Sequence, residues 1–145
     1  MATKKPSYAT MKKRKRKKHY KTGLHSSNKC ENSPMKYRSG WELVVAEYFD
    51  ASSDVKSYSY ETLKIPYVSN RKSSRVRYYI PDFVVTYTSG RKVIVEVKRK
   101  SALNQLTVMK KAEFASYYAT SNNMEYEFWT EDTIKKLKQD EKQSK

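Results

Sequence analysis

The chain has 145 residues, a formal net charge of +16 and one cysteine. This length suits one domain around a single core, and one cysteine excludes an intrachain disulfide, as is usual in a reducing, cytoplasm-like compartment. The apolar runs are too short to span a membrane, and no apolar stretch follows the basic N-terminus as it would in a secretory signal.

The positive charge is concentrated at the N-terminus. Residues 1–30 contain eleven Lys or Arg and no acid, whereas residues 31–145 carry a net charge of +5. The run of cations at the centre of this segment repels itself and has no apolar partner, so we predict a disordered basic arm over residues 1–33. A nuclear-localisation signal, a membrane-surface patch and a polyphosphate-binding arm share this composition, and we favour contacts with nucleic-acid phosphates. The predicted contacts are Lys12, Lys13, Arg14, Lys15, Arg16, Lys17 and Lys18.

Periodic apolar residues begin after Pro34. We predict a folded domain over residues 34–138 and a polar C-terminal tail over residues 139–145. Within the domain, aromatic residues and valines recur at helical spacing over residues 39–50, and Ser39 occupies the N-cap position. An amphipathic helix is therefore the first predicted element.

Strand-like segments follow this helix. Residues 51–57 are turn-like, residues 59–67 are rich in β-branched and aromatic residues, and residues 69–75 are expected to form a polar, basic loop. Residues 76–87 and 91–98 flank a Thr-Ser-Gly turn whose glycine can supply a positive φ. These two segments predict a β-hairpin.

The remaining elements complete one α/β domain. We predict a helix over residues 101–120, a strand over residues 124–130 and a short charged helix over residues 131–142. A hairpin followed by a crossover helix and a further strand indicates a mixed β-sheet packed by helices.

Charged residues lie at the end of the hairpin. Glu96 and Lys98 alternate with two valines and therefore project from one face of their strand. If Asp82 lies across the hairpin, two carboxylates and an ammonium group converge, and the carboxylates repel each other unless a cation lies between them. Mg²⁺ prefers such oxygens and keeps waters that can attack a phosphodiester, while a lysine can orient that water or stabilise the phosphate. The alternative is an ordinary exposed Glu-x-Lys pair.

The same residues resemble a known signature. Pro81-Asp82, thirteen intervening residues and Glu96-Val97-Lys98 are similar to the motif of the PD-(D/E)XK nuclease superfamily. YRSGWE at 37–42 resembles the helix-borne glutamate segment of TnsA-like endonucleases and T-even phage head-completion nucleases. The similarity to this subgroup covers residues 36–133, and it includes IPY at 65–67, YYIPDF at 78–83, EFWTE at 127–131, Lys111, Ala115 and Tyr118.

The resemblance implies a restriction-endonuclease-like core, with a mixed β-sheet flanked by helices. Asp82 and Glu96 would bind Mg²⁺ or Mn²⁺, and the backbone carbonyl of Val97 would be a further ligand. Lys98 would assist the nucleophile.

Glu42 has two interpretations. The resemblance implies that it completes the acidic cluster from the first helix, as a catalytic residue and a candidate metal ligand. The sequence around it is also a capping box, in which Glu42 would accept a hydrogen bond from the backbone N–H of Ser39.

Further DNA contacts are expected from polar and basic residues near the site, with a solvated or carboxylate-pairing role as the alternative. They are Arg38, Arg71, Lys72, Arg75, Arg77, Gln105 and Lys111. Most of the thirteen tyrosines fall at core-compatible positions, so we assign base stacking to none of them. His19 and His25 lie in the predicted arm and are not expected to be catalytic, and Cys30 is interpreted as a free thiol.

The sequence therefore predicts a metal-dependent DNA endonuclease that hydrolyses phosphodiester bonds. The resemblance favours a phage head-completion nuclease acting on packaged DNA over a TnsA-like transposase subunit, which would have a further C-terminal domain, and a junction-resolving nuclease stays open. Such a protein would act in the host cytoplasm or associate with the virion. Its candidate partners are DNA, a second copy of the chain and phage capsid portal or neck proteins. We do not expect it to bind a membrane. A non-catalytic DNA-binding or virion structural protein with a nuclease-like fold is the alternative.

Overall fold

The structure is a computed structural model that describes residues 21–68 and 75–143. Strands and helices alternate along these two ranges, as an α/β protein requires. They are β1 (Gly23–His25), β2 (Met35–Tyr37), α1 (Gly40–Ala51), β3 (Val55–Tyr60), β4 (Ile65–Val68), β5 (Val76–Tyr79), β6 (Phe83–Tyr87), β7 (Lys92–Val97), α2 (Leu106–Ser121), β8 (Glu125–Trp129) and α3 (Glu131–Gln143).

A four-stranded mixed sheet forms the centre of the domain, in the order β3-β6-β7-β8. Strand β6 pairs antiparallel with β3 and β7, whereas β8 pairs parallel with β7. Helix α2 makes the crossover that a parallel pair requires. Gly90 adopts a φ of +92° in the β6–β7 turn. The predicted hairpin and the predicted mixed sheet flanked by helices are both confirmed.

Alternation along β7 sends its side chains into two separate cores. Val93 and Val95 pack in a cluster with residues of α1 and α3. Ile94 packs in a second cluster with residues of α2 and of strands β4 and β5, which pair antiparallel in a separate two-stranded sheet, the β4–β5 pair. All three side chains are fully buried. Because Glu96 follows Ile94 by two residues, its side chain leaves the sheet on the side of α2.

The folded domain begins before the predicted boundary. Strand β1 pairs antiparallel with β2, and Cys30 forms an isolated parallel bridge with Tyr58 of β3. Residues 21–33 therefore belong to the domain and not to the predicted arm. Residues 1–20, with the seven consecutive cations at 12–18, lie outside the described residues. The Cys30 thiol is free, as expected, and its burial raises its pKa.

Asp50, in the last turn of α1, ties this N-terminal segment to the domain. One of its carboxylate oxygens lies 2.6 Å from Nε2 of His25. The other accepts hydrogen bonds from the hydroxyl groups of Ser27 and Tyr58, at 2.5 and 2.9 Å. These contacts join residues distant in sequence, which explains why the periodic pattern did not reveal this part of the domain.

Replacing Asp50 by alanine should lower the free energy of unfolding by about 1–3 kcal/mol, because three polar groups lose their shared acceptor. Chemical denaturation followed by tryptophan fluorescence measures this change. Asp54, in the exposed turn before β3, provides the control, and its replacement by alanine should change the stability by less than about 0.5 kcal/mol. Equal stability of the two variants would show that Asp50 does not hold the segment.

Two predicted strands are each divided in the structure. The segment predicted over residues 59–67 contains the end of β3 and most of β4, because Glu61 adopts a left-handed φ of +54° and interrupts the extended backbone. Strand β3 begins at Val55, inside the segment predicted to be a turn. The segment predicted over residues 76–87 divides around Pro81, which has no N–H to donate to a ladder.

The two later helices differ from the prediction at their ends. A single 3-10 turn, Lys100–Ala102, precedes α2, which begins at Leu106 and not at residue 101. Helix α3 continues to Gln143, so the described part of the predicted tail is helical. Among the described residues, we find no helix with the length and apolar character needed to cross a membrane.

Candidate active site

The β6–β7 hairpin brings Asp82 against Glu96. Phe83 pairs with Val95 in the ladder, which places Asp82 opposite Glu96 just beyond the paired region. The backbone N–H of Asp82 donates to Oε1 of Glu96 at 3.3 Å. In return, the backbone N–H of Val97 donates to Oδ2 of Asp82 at 2.8 Å. Each strand therefore holds the carboxylate of the other, and we call Asp82 and Glu96 the acidic pair.

The segment before β6 fixes the backbone of Asp82. Pro81 is fully buried and separates β5 from β6. The carbonyl of Asp82 accepts a hydrogen bond of 2.9 Å from the backbone N–H of Glu61. The carboxylate of Asp82 thus projects from a backbone that is anchored on both sides.

The surroundings of Asp82 disfavour its negative charge. Burial raises the pKa of Asp82 most, repulsion from Glu96 and then from Glu42 raises it further, and together they bring it to about 8. The hydrogen bond from the N–H of Val97 acts in the opposite direction. The raised pKa favours the protonated form of Asp82 until a cation takes the place of the proton.

The pKa of Glu96 is also raised, mainly by burial. The Tyr79 hydroxyl, the Lys98 ammonium, the N–H of Asp82 and the Lys111 ammonium lower it, in that order of size. Glu96 is thus the better-compensated member of the acidic pair. Neighbouring acids whose pKa values are both raised in this way are typical of functional sites.

Lys98 lies at the edge of the acidic pair. Its Nζ is 3.9 Å from Oε2 of Glu96, and its side chain is 37% exposed whereas that of Glu96 is 12% exposed. The backbone N–H of Lys98 donates to the carbonyl of Trp129 at 3.0 Å, which fixes Lys98 just after β7. The Lys98 side chain is therefore more exposed than the Glu96 carboxylate beside it. The structure brings Asp82, Glu96 and Lys98 together, as the sequence predicts.

Glu42 is buried and forms the capping contacts. Its Oε1 accepts hydrogen bonds from the backbone N–H of Arg38 at 2.7 Å and from the Tyr60 hydroxyl at 3.1 Å. Its own N–H donates to the hydroxyl of Ser39, the N-cap of α1. The expected capping box is only half formed: the Ser39 hydroxyl accepts from the N–H of Glu42, but Glu42 accepts from the N–H of Arg38 and not from that of Ser39. The charge of Glu42 nevertheless raises the pKa of Asp82, so Glu42 acts on the acidic pair through space.

The acidic pair fits a hard divalent cation. The part of the chain that the structure describes contains no group of three or more His, Cys, Asp or Glu side chains able to hold a metal ion, so the cluster expected with Glu42 is not assembled there. The acidic pair offers only carboxylate oxygens, which suit Mg²⁺ and Mn²⁺. Mg²⁺ usually takes one or two carboxylates and completes its coordination with water and substrate phosphate oxygens. Two carboxylates in a partly buried, negative site are enough for such an ion.

Arg38 pairs with a carboxylate. Its guanidinium lies 3.2 Å from Oε1 of Glu61, so the structure shows the carboxylate-pairing alternative. Most of the Arg38 side chain is exposed beside this contact. Glu61 itself has a raised pKa, caused first by burial, and its charge contributes to the raised pKa of Asp82.

Lys111 reaches the site from α2. Its Nζ lies 5.9 Å from the ring centroid of Tyr67 and 5.7 Å from that of Tyr79. Its charge lowers the pKa of Glu96, so the ammonium group is near enough to Glu96 to act on it electrostatically. Among the other expected DNA contacts, Arg75, Arg77 and Gln105 are exposed, whereas Arg71 and Lys72 lie outside the described residues.

The sequence did not single out Glu61 or the tyrosines near the acidic pair. Glu61 belongs to no motif, and only its left-handed backbone brings its N–H to Asp82. Tyr79 is buried beside Glu96, and its hydroxyl lies 2.9 Å from that of Tyr126. Alternation along the strand before Pro81 signals the burial of Tyr79, but its approach to Glu96 depends on how the β4–β5 pair packs on α2.

The chain matches a known family over this region. The sequence model of the family described as TnsA-like endonuclease N terminal matches residues 52–131. The chain belongs to this TnsA-like endonuclease family. The family resemblance expected from the sequence is confirmed. The match contains Asp82, Glu96 and Lys98, and it begins after α1, so Glu42 lies outside it.

This TnsA-like chain is also similar to a curated phage protein. It is 32% identical over 75 residues to the head completion nuclease of Enterobacteria phage T4. The similar segment covers 50% of this chain and 49% of the relative, so the chain spans about half the length of the relative that it matches.

Proposed function

We propose that this TnsA-like protein is a metal-dependent DNA endonuclease that hydrolyses phosphodiester bonds. The acidic pair carries the proposal, because two partly buried carboxylates held side by side gain most from a cation between them. Lys98 beside them supplies the third residue type of the signature. Membership of the TnsA-like endonuclease family and the similarity to a phage head completion nuclease support the same activity.

Each residue of the site has a role in this mechanism. Asp82 and Glu96 hold Mg²⁺ or Mn²⁺, and the carbonyl of Val97 is a further ligand. When bound, the ion lowers the pKa of water and stabilises negative charge on the phosphate. Lys98 orients the attacking water and neutralises charge that develops on the phosphate. Glu42 adds negative potential that favours the cation, while its Oε1 stays in the capping contacts.

The basic residues around the site bind the DNA backbone in this proposal. Lys111 lies beside the acidic pair, and the exposed Arg38, Arg75, Arg77 and Gln105 are available to neighbouring phosphates. The basic arm, Arg71 and Lys72 add salt-dependent affinity without reading sequence.

We propose head completion as the biological role of this nuclease. The similarity to the T4 protein supports a phage nuclease that acts on packaged DNA in the host cytoplasm or in association with the virion. Capsid portal or neck proteins and a second copy of the chain are its proposed partners besides DNA.

Incubation of the purified protein with supercoiled plasmid tests the activity. We expect nicked and linear products with Mg²⁺ or Mn²⁺ and intact plasmid with EDTA. A non-catalytic DNA-binding protein would shift the plasmid in a gel and leave it uncut under every condition, which would refute the enzyme.

Replacing Lys98 by methionine should lower the single-turnover cleavage rate on the order of 10²-fold, because the transition state loses its nearest cation. DNA binding should fall much less, since many other cations contact the backbone. Lys92 lies exposed at the other end of β7 and gives a matched control. A Lys98→Met enzyme that cleaves as fast as Lys92→Met would remove Lys98 from the chemistry.

A further inference from the structure

An apolar groove lies between the β4–β5 pair and α2. It has a volume of about 390 Å³, and its lining includes Tyr67, Val76, Phe114, Tyr117 and Tyr118. The volume is within the range of about 300–1,000 Å³ that is usual for small-molecule sites. We call this surface the aromatic groove.

One wall of the aromatic groove is unusually open to solvent. The Tyr117 side chain is 77% exposed, and Val76 across the groove is also exposed. Our sequence-based expectation that no tyrosine serves in base stacking rested on core-compatible positions, and Tyr117 does not occupy a core position. An exposed tyrosine beside further aromatic rings offers a flat apolar surface, and such exposed surfaces commonly mark binding sites.

Lys111 connects the aromatic groove with the surroundings of the acidic pair. Lys111 lies over the ring of Tyr67, which lines the groove, and over the ring of Tyr79, which lies beside Glu96. A DNA strand with one phosphate at the acidic pair therefore meets the Lys111 ammonium and then the groove. Tyr67 and Lys111 thus link the groove to the proposed nuclease site.

The charges at the aromatic groove favour a nucleic acid as its occupant. Arg77 lies directly opposite Tyr67 in the β4–β5 ladder, so its exposed side chain leaves the same face of that pair. Arg77 and Lys111 thus place positive charge at two sides of Tyr67. A second copy of a chain with a net charge of +16 is repelled by these cations, whereas phosphates are attracted.

The form of the groove specifies which part of DNA it accepts. Surfaces that bind single strands combine cations for the backbone with aromatic side chains on which bases stack. Every base has an apolar face, but paired bases in duplex DNA are stacked on one another and do not present it. An unpaired base presents this face to Tyr117.

We propose that the aromatic groove binds an unstacked base of the cleaved strand, so that the preferred substrate has an unpaired segment next to the scissile phosphate. This inference rests on the proposed nuclease function and defines its substrate class. It predicts that the protein prefers a duplex with a single-stranded overhang or flap to a blunt duplex.

Binding of fluorescent DNA to the full chain in EDTA tests the inference without any cleavage. Tyr117→Ala should weaken binding of overhang DNA roughly tenfold, the order of one base–aromatic stack, and leave the affinity for a blunt duplex of equal length unchanged. Tyr117→Trp should restore the loss. Tyr78, which is exposed on β5 and does not line the groove, gives the matched control as Tyr78→Ala.

A 2-aminopurine base in the overhang gives a direct readout. Its fluorescence should be quenched on binding to the wild type and should stay high with Tyr117→Ala. Equal weakening of both DNAs, no weakening of either, or a dimer in sedimentation that Tyr117→Ala dissociates would overturn the inference. These experiments need no metal, so the two proposals can fail separately. If the protein fails to cut plasmid but shows the Tyr117 effect, the nuclease function is refuted and the role of the groove is supported. If it cuts plasmid without the Tyr117 effect, the nuclease function is supported and the role of the groove is refuted.

Discussion

Replacing Asp82 by asparagine should lower the single-turnover rate of metal-dependent DNA cleavage on the order of 10³-fold or more. The amide retains the shape of the side chain and an oxygen that can accept the hydrogen bond from the N–H of Val97. It removes the negative charge that the divalent ion needs. The fold should persist, and DNA binding in EDTA should stay close to that of the wild type.

The comparison needs a control of the same chemistry. Asp54→Asn removes a carboxylate from an exposed turn, and it should leave the cleavage rate unchanged. Glu96→Gln should behave like Asp82→Asn, because both carboxylates hold the same ion. Wild-type cleavage by Asp82→Asn would remove the acidic pair from the mechanism.

The stability of the metal-free protein should fall as the pH rises from about 5 to about 8. The pKa of Asp82 is about 8 in the folded protein, against an ordinary value of 3.8. In this interval the folded state keeps a proton that the unfolded state has released. The contribution of Asp82 is therefore fully present below pH 4 and is lost as the pH passes through 8, with a slope of up to about 1.4 kcal/mol per pH unit.

Two comparisons isolate Asp82 in this experiment. Asp82→Asn cannot ionise, so its stability in denaturant should change much less over the same pH interval and should exceed that of the wild type at the alkaline end. Excess Mn²⁺ should stabilise the wild type most at alkaline pH, where Asp82 has lost its proton. Parallel pH profiles of stability for the wild type and Asp82→Asn would show that the pKa of Asp82 is not raised in the folded protein.

The sequence was sufficient to predict the hairpin and the convergence of its three charged residues, because local rules of strand and turn geometry determine both. Alternation along β7 places Glu96 and Lys98 on one face, and the short turn at Gly90 sets the register that brings Asp82 across. The spacing of the PD-(D/E)XK signature reflects this same hairpin. The predicted convergence therefore follows from a single supersecondary unit.

Other parts of the site depend on contacts that no local pattern encodes. The N-terminal segment folds because Asp50 binds residues from β1 and β3, and Glu61 reaches Asp82 only through its left-handed backbone. The resemblance placed Glu42 at the metal, but in the structure its Oε1 accepts hydrogen bonds from the backbone N–H of Arg38 and the hydroxyl of Tyr60. The aromatic groove arises where α2 packs on the β4–β5 pair, so the exposure of Tyr117 depends on tertiary packing.

Proton release on metal binding tests the central claim most directly. Mn²⁺ titrated into the protein at about pH 7, in two buffers of different ionisation enthalpy, should release about one proton per ion, because the ion replaces the proton of Asp82. Asp82→Asn and Glu96→Gln should bind Mn²⁺ weakly, and Asp82→Asn should release no proton. Equal Mn²⁺ affinity in the wild type and both variants would contradict a metal site at the acidic pair.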